Sequence, residues 1–510
     1  MARSLSLAAL LVVAAVLLAG LGSPAGGTHP DEGLYLEAAR QMHERGDWLT
    51  PTVDGTPDFT KPPLLYWAIG CSFSLFGTTL WAARLPVALA ALGLAWLTGR
   101  MARREVGPGA EPLSILLLGT CLGLLRYGRV DLMDVPLALA IAAGIWPLWR
   151  VAQGGPAPLA PAAGVAAAAA ALLKGPVGPL LIAAVGAVYL WRTGRLRASL
   201  PWLAVAGGLA LLLAVPWYLA MALRHGAPFL GRFLGTENLG KFRFPWTAEG
   251  ELLLLLALPV LFLPWTPAVR LRGPGAALAW PWIVGLLLLF SIPGLKHPHY
   301  VVPALAPLAV LASGDRSAVA SRISAVLLAA LSVAGALALR FQLVAPVRLA
   351  LAGAVLLAAL AAFAVARGSP GGGALGTAGA AVLLFAVVLP GAVPSPLPAW
   401  VGERAGTRPL FTATQNPGLY SLLVGRPVHR AAGAEQVTRA LEEGQALLVT
   451  EEERRLLPAG VSKRLVPLAS WPRLRGRLSW REVVRAWARG DPGPLFETMS
   501  LEVLAGAAPV

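Results

Sequence analysis

Carboxylates and lysines crowd one short polar stretch of an otherwise apolar chain. Asp31-Glu32-Gly33-Leu34-Tyr35 stands where a first hydrophobic run ends, and residues 29–79 add Glu37, Glu44, Asp47, Asp54, Asp58 and Lys61. A carboxylate at a membrane boundary is costly unless it is paired or does chemistry. Such a group can take a proton, and a lysine held as in Thr60-Lys61-Pro62-Pro63 can hold an anion. Asp31 has a second reading, as cap of the helix that follows. Lys61 has one too, as a side chain reaching for lipid headgroups. The same pair of readings applies to Arg129, to Lys174 before Gly175-Pro176, and to Lys241 and Arg243. Asp131, Asp134 and Glu237 are further isolated acids. Tyr35, Tyr66 and Tyr300 suit interface positions or pocket walls. His297 and His299 are either ligands or an exposed loop pair.

The elements that must position these residues are membrane helices. Of 510 residues, 56% are hydrophobic and only 13% charged, with mean hydropathy +0.67. A soluble domain carries about a quarter charged residues. Apolar runs fall near 5–22, 80–99, 112–125, 135–150, 159–173, 177–191, 201–221, 251–266, 277–293, 300–312, 324–340, 349–366 and 376–393. These predict about thirteen spans. The first run also has the layout of a signal peptide, with Arg3 ahead of it and Ser23-Pro24-Ala25 behind, but it lacks a clean cleavage site.

With the N-terminus cytoplasmic, Arg100, Arg103, Arg104, Arg192, Arg195, Arg197, Arg270, Arg272, Arg316, Arg322 and Arg367 all fall inside. That is the positive-inside pattern. It also accounts for the net charge of +16 without nucleic acid, and no nucleic-acid module is visible. The acids named above and all six histidines then lie on the external side. Cys71 and Cys121, in apolar surroundings without ligand spacing, read as packing residues.

After residue 394 the composition changes. Pro409-Leu-Phe-Thr-Ala and residues 446–450 read as strands, and 433–443 and 480–489 have helical spacing with polar faces. Residues 395–510 therefore predict a small extracytoplasmic α/β domain beside a membrane domain of residues 1–394, and the cluster Glu451–Arg455 predicts a solvated surface.

The ordered motifs resemble a known superfamily. Asp31-Glu32, Tyr35, Gly46-Asp47-Trp48, Pro51, Phe59-Thr60-Lys61-Pro62-Pro63-Leu64, Tyr66-Trp67, Phe76-Gly77 and Ala83-Arg84-Leu85-Pro86 look like the first loop of polyprenyl-phosphate-dependent glycosyltransferases. This superfamily includes the lipid A aminoarabinose transferases and the protein O-mannosyltransferases. Arg129, Asp131, Asp134-Val135-Pro136, Lys174-Gly175-Pro176, Pro216-Trp217-Tyr218, Glu237 to Phe242, Lys296 and Tyr300 to Pro303 follow in the family's order. The similarity covers roughly residues 5–312.

The resemblance implies a GT-C-like multi-helix bundle with its active site on the external face of a bacterial inner membrane. It implies an undecaprenyl-phosphate-linked sugar donor and a lipid, glycan or protein acceptor. Asp31 matches the family's essential first-loop aspartate, Asp134 its second-loop aspartate, and Lys61 the lysine associated with the lipid phosphate. Arg243 lies near a basic residue of similar role. Such transfer needs a proton acceptor and positive charge on the departing phosphate. Asp31 fits the first; Lys61, Lys241 and Arg243 fit the second, with Arg129 and Lys174 as further donor-side cations. Glu32, Tyr35, Tyr66, Glu237 and Tyr300 are then substrate-pocket residues.

The chain departs from relatives at Thr60, Asn238 and Leu34, where Glu, His and Arg occur, which weakens an assignment to aminoarabinose-modified lipid A. Thr60 and Asn238 are poor zinc ligands, so no bound transition metal is expected; Asp31, Asp134 and Glu237 could gather a weak Mg²⁺. The rival reading, a multi-pass transporter or flippase, predicts charges at mid-span, whereas here they gather at external helix ends.

Overall fold

The computed structural model describes residues 2–505 except 27–28, 241–244, 315–317, 342, 414–416, 432, 476–479 and 490. Among them, seven helices are long and apolar enough to cross a bilayer: Leu80–Glu105, Asp134–Ala152, Ala157–Lys174, Leu196–His225, Ala318–Ala338, Ala345–Ala366 and Pro370–Ala392. Six shorter apolar helices accompany them, Arg3–Leu18 and Leu64–Phe76 included. The six shorter helices fall below that length, so helix length and composition do not confirm the count of about thirteen spans that the sequence reading expects. The chain is a multi-pass α-helical membrane protein.

Several expected spans are not single helices. The run 112–125 splits into Ala110–Gly119 and Leu122–Tyr127. At the break Thr120 folds its hydroxyl back onto the Leu116 carbonyl and accepts the Trp265 indole N–H at 3.0 Å, while the Leu122 amide donates to the Leu263 carbonyl at 2.9 Å. The run 251–266 stops as a helix at Leu261, before Pro264. The run 300–312 starts as the 3₁₀ segment Pro298–Ala304. Helix Ala2–Leu18 is built into the bundle through buried Val13, Val16 and Leu17.

The main core joins the first ten or so helical segments, from Ala9 to Ala312, and reaches Leu410 and Leu448 of the C-terminal sheet. Helices Leu196–His225, Ala318–Ala338 and Ala345–Ala366 are largely uncovered by the rest of the chain and present Leu211, Leu212, Val326 and Leu356 outward, as lipid-facing helices do.

Two local devices set the functional end. Helix Pro30–Arg45 starts behind His29, whose ring Nδ1 accepts the Asp31 amide at 3.2 Å, and ends at Gly46 with φ 68°. Asp31 therefore does not cap this helix; His29 does. Helix Leu80–Glu105 starts at Thr79, whose hydroxyl accepts from the Ala82 amide, and ends with Arg103 and Arg104 near its negative pole.

Toward the C-terminus, five strands form one mixed sheet in the order Val428–Arg430, Leu410–Thr412, Ala446–Thr450, Phe496–Leu504, Leu465–Leu474. The first three run parallel, with Pro417–Val424 and Ala434–Glu442 between them in sequence; the last two pair antiparallel. The strands near 409–413 and 446–450 and the helices near 433–443 and 480–489 appear where the sequence puts them. The pair Leu465–Leu474 and Phe496–Leu504 is new; Pro467 and Pro472 hide the first, and both are tolerated because it lies at the sheet edge. Helix Pro417–Val424 lies on helix Pro30–Arg45 so closely that a Cβ at Gly418 would come within 2.6 Å of the Glu37 amide nitrogen. The sheet region thus bears directly on the helix that carries Asp31.

Candidate active site

The site sits where helix Pro30–Arg45, the turn Gly46–Pro63 and the N-terminal or C-terminal ends of several apolar helices meet. The turn is anchored by main-chain bonds: Trp67 donates its indole N–H to the Trp48 carbonyl at 2.7 Å and Trp217 to the Leu49 carbonyl at 3.0 Å. The Trp48 ring fills the space over Gly70, where a Cβ would approach it to 2.6 Å. Asp47 pairs with Arg224 at 2.9 Å, and the Thr50 hydroxyl lies 2.9 Å from His225 Nε2. Asp58 accepts both the amide (3.1 Å) and the hydroxyl (2.8 Å) of Thr60, which fixes the segment bearing Lys61. Burial pushes the Asp58 carboxyl above the usual carboxylate range.

Asp31 is the exposed acid of the site, with its side chain 46% accessible. His29 Nδ1 lies 3.8 Å from its carboxylate. Burial lowers the His29 imidazole below its ordinary value, so at neutral pH the ring is an acceptor and cap, not a counter-ion.

Glu32, one residue on, has a different position. It is fully buried and forked onto Arg84, at 2.8 and 3.2 Å, while the Arg84 guanidinium also donates to the Leu21 and Ser23 carbonyls. Asp131 is buried beside them with neither carboxylate oxygen hydrogen-bonded, and burial together with Glu32 pushes its carboxyl well up. The pair of Glu32 and Arg84 ties the first loop to helix Leu80–Glu105, so Glu32 reads as an internal strut rather than as a pocket wall.

Two partly buried ion pairs supply the lysines. Lys174 Nζ donates to Asp134 at 2.6 Å and lies 5.0 Å from the Tyr300 ring centre. Lys61 Nζ lies 3.4 Å from Glu237, whose other oxygen is 3.0 Å from Arg232. Tyr35 is within electrostatic reach of Asp31, Asp134, Asp58 and Glu237, and Tyr300 of Asp134, Asp31 and Glu237. These acids therefore gather around the two phenols, although they are scattered in sequence. Burial raises the Tyr35 phenol far above neutrality; packed against Tyr66 at 5.9 Å, it serves as a wall. His297 stacks on His299 at 5.1 Å, and His299 meets His29 edge-on at 5.6 Å, so the pair is built into the site rather than left in an exposed loop.

Arg129 is placed elsewhere. Its guanidinium donates to the Val16, Leu17 and Ala19 carbonyls, closing the C-terminal end of helix Ala2–Leu18, and lies over the Phe385 ring. Its role is to satisfy helix carbonyls near a negative helix pole, not to hold a donor phosphate. Lys241 and Arg243 lie outside the described residues.

Asp31, Asp134 and Glu237 do not assemble as a cation site: among the described residues no group of three His, Cys, Asp or Glu side chains could hold a metal. Asp134 and Glu237 take lysine or arginine partners instead. His29 and Arg232 were not singled out by sequence reasoning, and Arg84 entered only within the Ala83-Arg84-Leu85-Pro86 motif, without a role. Arg84 had a signal, since a charged residue at the head of an apolar helix implies a partner; His29 and Arg232 had none beyond proximity to Asp31 and Glu237.

An apolar groove of about 510 Å³ opens beside these ion pairs. Leu64, Leu65, Pro136, Leu139, Val165 and Leu173 are among its walls, and no polar side chain is among its described lining residues. Its walls continue directly from the charged positions: Leu64 follows Lys61 by three residues, Pro136 follows Asp134 by two, and Leu173 precedes Lys174.

Known proteins resemble this chain in sequence and fold. A family model described as dolichyl-phosphate-mannose-protein mannosyltransferase matches residues 60–219. The undecaprenyl phosphate-alpha-4-amino-4-deoxy-L-arabinose arabinosyl transferase of Serratia proteamaculans is 30% identical over 310 residues, 55% of this chain and 54% of that protein. The chain spans about half the length of the curated relatives it matches. The crystal structure of ArnT from Cupriavidus metallidurans in the apo state superposes with TM-score 0.70 at 22% identity, covering 100% of this chain and 99% of that one. The same protein bound to undecaprenyl phosphate gives 0.69 at 20% identity with the same coverage. The resemblance drawn from the motifs is thus borne out: this chain is similar in sequence, over about half its length, to undecaprenyl phosphate-alpha-4-amino-4-deoxy-L-arabinose arabinosyl transferases, and in fold throughout to ArnT.

Proposed function

We propose that the chain is a membrane glycosyltransferase that moves a sugar from a polyprenyl phosphate, in bacteria undecaprenyl phosphate, to an acceptor in the cell envelope. The observation that carries this reading is an all-apolar groove whose walls follow on in the chain from Lys61 and Lys174, in a site that also holds the accessible carboxylate of Asp31. A polyprenyl chain fits the groove by its apolarity, and its phosphate then lies within reach of the lysines. The acceptor hydroxyl forms the new bond to the anomeric carbon as the bond from that carbon to the phosphate oxygen breaks. The hydroxyl proton passes to Asp31, and the lipid phosphate leaves with its charge met by Lys61 and Lys174. Asp134 and Glu237 hold those lysines in place. No step requires a metal.

The arginine asymmetry supports a bacterial inner-membrane location with this site external. On the same reading residues 395–510 form an external domain distinct from the membrane domain of residues 1–394, pressing on the Asp31 helix through Gly418. The relatives' names make undecaprenyl-phosphate aminoarabinose the first donor to try, and the resemblance drawn from the motifs makes lipid A the first acceptor. The test is transfer by purified protein, followed by the mass of the product and release of undecaprenyl phosphate. Donor-dependent product with stoichiometric lipid phosphate supports the reading. Failure across aminoarabinose, mannose and other undecaprenyl-phosphate sugars, with movement of intact lipid between leaflets instead, would favour a flippase.

A further inference from the structure

A second cavity, of about 850 Å³, opens at the other end of the bundle. Helix Leu80–Glu105 connects the two ends: Arg84 in its first turns braces Glu32, while Val106 just past its C-terminus lines this cavity. At 1.5 Å per residue that helix is roughly 39 Å long, so the cavity lies at the opposite membrane face from Asp31. Arg270, Arg322 and Arg367 enter it from three separate segments, and no carboxylate is among its described lining residues. Among the described residues, the acids of the adjoining helices are engaged elsewhere: Glu105 accepts the Trp149 indole N–H at 2.7 Å, and Glu111 pairs with Arg103 at 3.0 Å and Arg100 at 3.6 Å.

Arginines that merely flank membrane helices spread around the rim and point outward. Here three line one concavity, with the Arg367 guanidinium also 5.7 Å from the Phe363 ring. A Cβ at Gly314 would stand 3.9 Å from Arg270 Cδ, so the arginine stem runs along the cavity wall. The surrounding chain turns through Gly107 at φ 140° and Gly368 at φ 82°, which brings two glycine-containing loops to the cavity without side chains to fill it. Next to Arg322, Val319, Ile323 and Val326 of helix Ala318–Ala338 are exposed. An apolar surface therefore leads from the bilayer to the guanidinium groups. The guanidinium fork matches phosphate oxygens in pairs.

We infer that this cavity binds a phosphate-bearing anion, supplied by the headgroup of an anionic phospholipid in the leaflet it faces. The site is separate from the donor groove and does not depend on the proposed transfer reaction.

The test is native mass spectrometry of the full-length protein in neutral detergent, titrated with short-chain phosphatidylglycerol, short-chain phosphatidylcholine and inorganic phosphate. Saturable one-to-one binding of phosphatidylglycerol is expected, at least about tenfold tighter than phosphatidylcholine. It should weaken at least about tenfold in Arg270→Gln/Arg322→Gln/Arg367→Gln, the loss of one or more charged hydrogen bonds. The single variant Arg322→Gln, intermediate in effect, answers the question where the triple variant does not fold. Competition by millimolar inorganic phosphate supports the phosphate chemistry and names a free anion as its source. Absence of saturable binding by either anion overturns the inference. So does phosphatidylglycerol binding that is untouched by the arginine variants but lost in Lys61→Ala, which would put the lipid in the donor groove.

Discussion

The two ends of the helical bundle carry charge in opposite ways. At the end built around Asp31, acids and cations alternate and pair at short range: Glu32 with Arg84, Asp134 with Lys174, Glu237 with Lys61 and Arg232. Most are half to fully buried, and Asp31 stands out as an accessible acid. At the other end Arg270, Arg322 and Arg367 share a cavity with no acid among its described walls. Buried pairs hold side chains in one geometry and cost much when broken; arginines lining an open cavity with no acid among its described walls keep their capacity for an outside anion. The first end is arranged for chemistry at fixed positions, the second for electrostatic attachment.

The strongest break in this comparison comes from the internal strut. Arg84→Ala leaves Glu32 buried without its cation and should destabilise the protein by about 3–5 kcal/mol, seen as a lower unfolding temperature or lost expression. Glu32→Gln/Arg84→Met, which removes both charges, should recover much of that loss. A fully stable Arg84→Ala protein would mean that the buried pair does not brace the first loop.

Next in size is Asp31→Asn. It keeps shape and removes the proton acceptor, so turnover should fall at least about a hundredfold with the unfolding temperature unchanged. Lys61→Ala should lower kcat/KM for the lipid donor roughly ten- to a hundredfold, with little change in KM for the acceptor. Loss confined to the acceptor would move Lys61 to the other substrate.

The smallest effect concerns His29. Its folded value is depressed by burial below the ordinary value of about 6.5. The neutral ring is favoured by folding, so its stabilising contribution is present above about pH 6.5 and is lost as pH falls through the depressed value. His29→Asn retains an N-cap without titrating and should flatten this region of the stability profile, whereas His29→Ala should cost about 1 kcal/mol at pH 7.5. Thermal melts between pH 7.5 and 4.5 separate the three proteins.

Much of this end was legible before any coordinates. A polar loop between apolar runs marked Asp31, and the helix expected to follow it appears as Pro30–Arg45. Pairing was not legible, because it is set by packing. Lys61 meets Glu237 from 176 positions away and Lys174 meets Asp134 from 40. Arg129 looked like its neighbours in composition, and only the arrival of helix Ala2–Leu18 beside it gives it three carbonyls to serve. The broken span at Thr120 was hidden for the same reason, since the bond from Trp265 that stabilises it comes from a distant segment. The groove was invisible because each of its walls reads as ordinary membrane helix.

The most direct test of the account is where the lipid donor lies. An undecaprenyl phosphate analogue with a photoreactive diazirine on its prenyl chain can be cross-linked to the protein in nanodiscs and the adducts mapped by peptide mass spectrometry. The account predicts adducts within residues 64–68, 136–143 and 162–173, the groove walls, competed by unmodified undecaprenyl phosphate and reduced in Lys61→Ala. Competed adducts around Arg270, Arg322 and Arg367, with none in the groove, would contradict it.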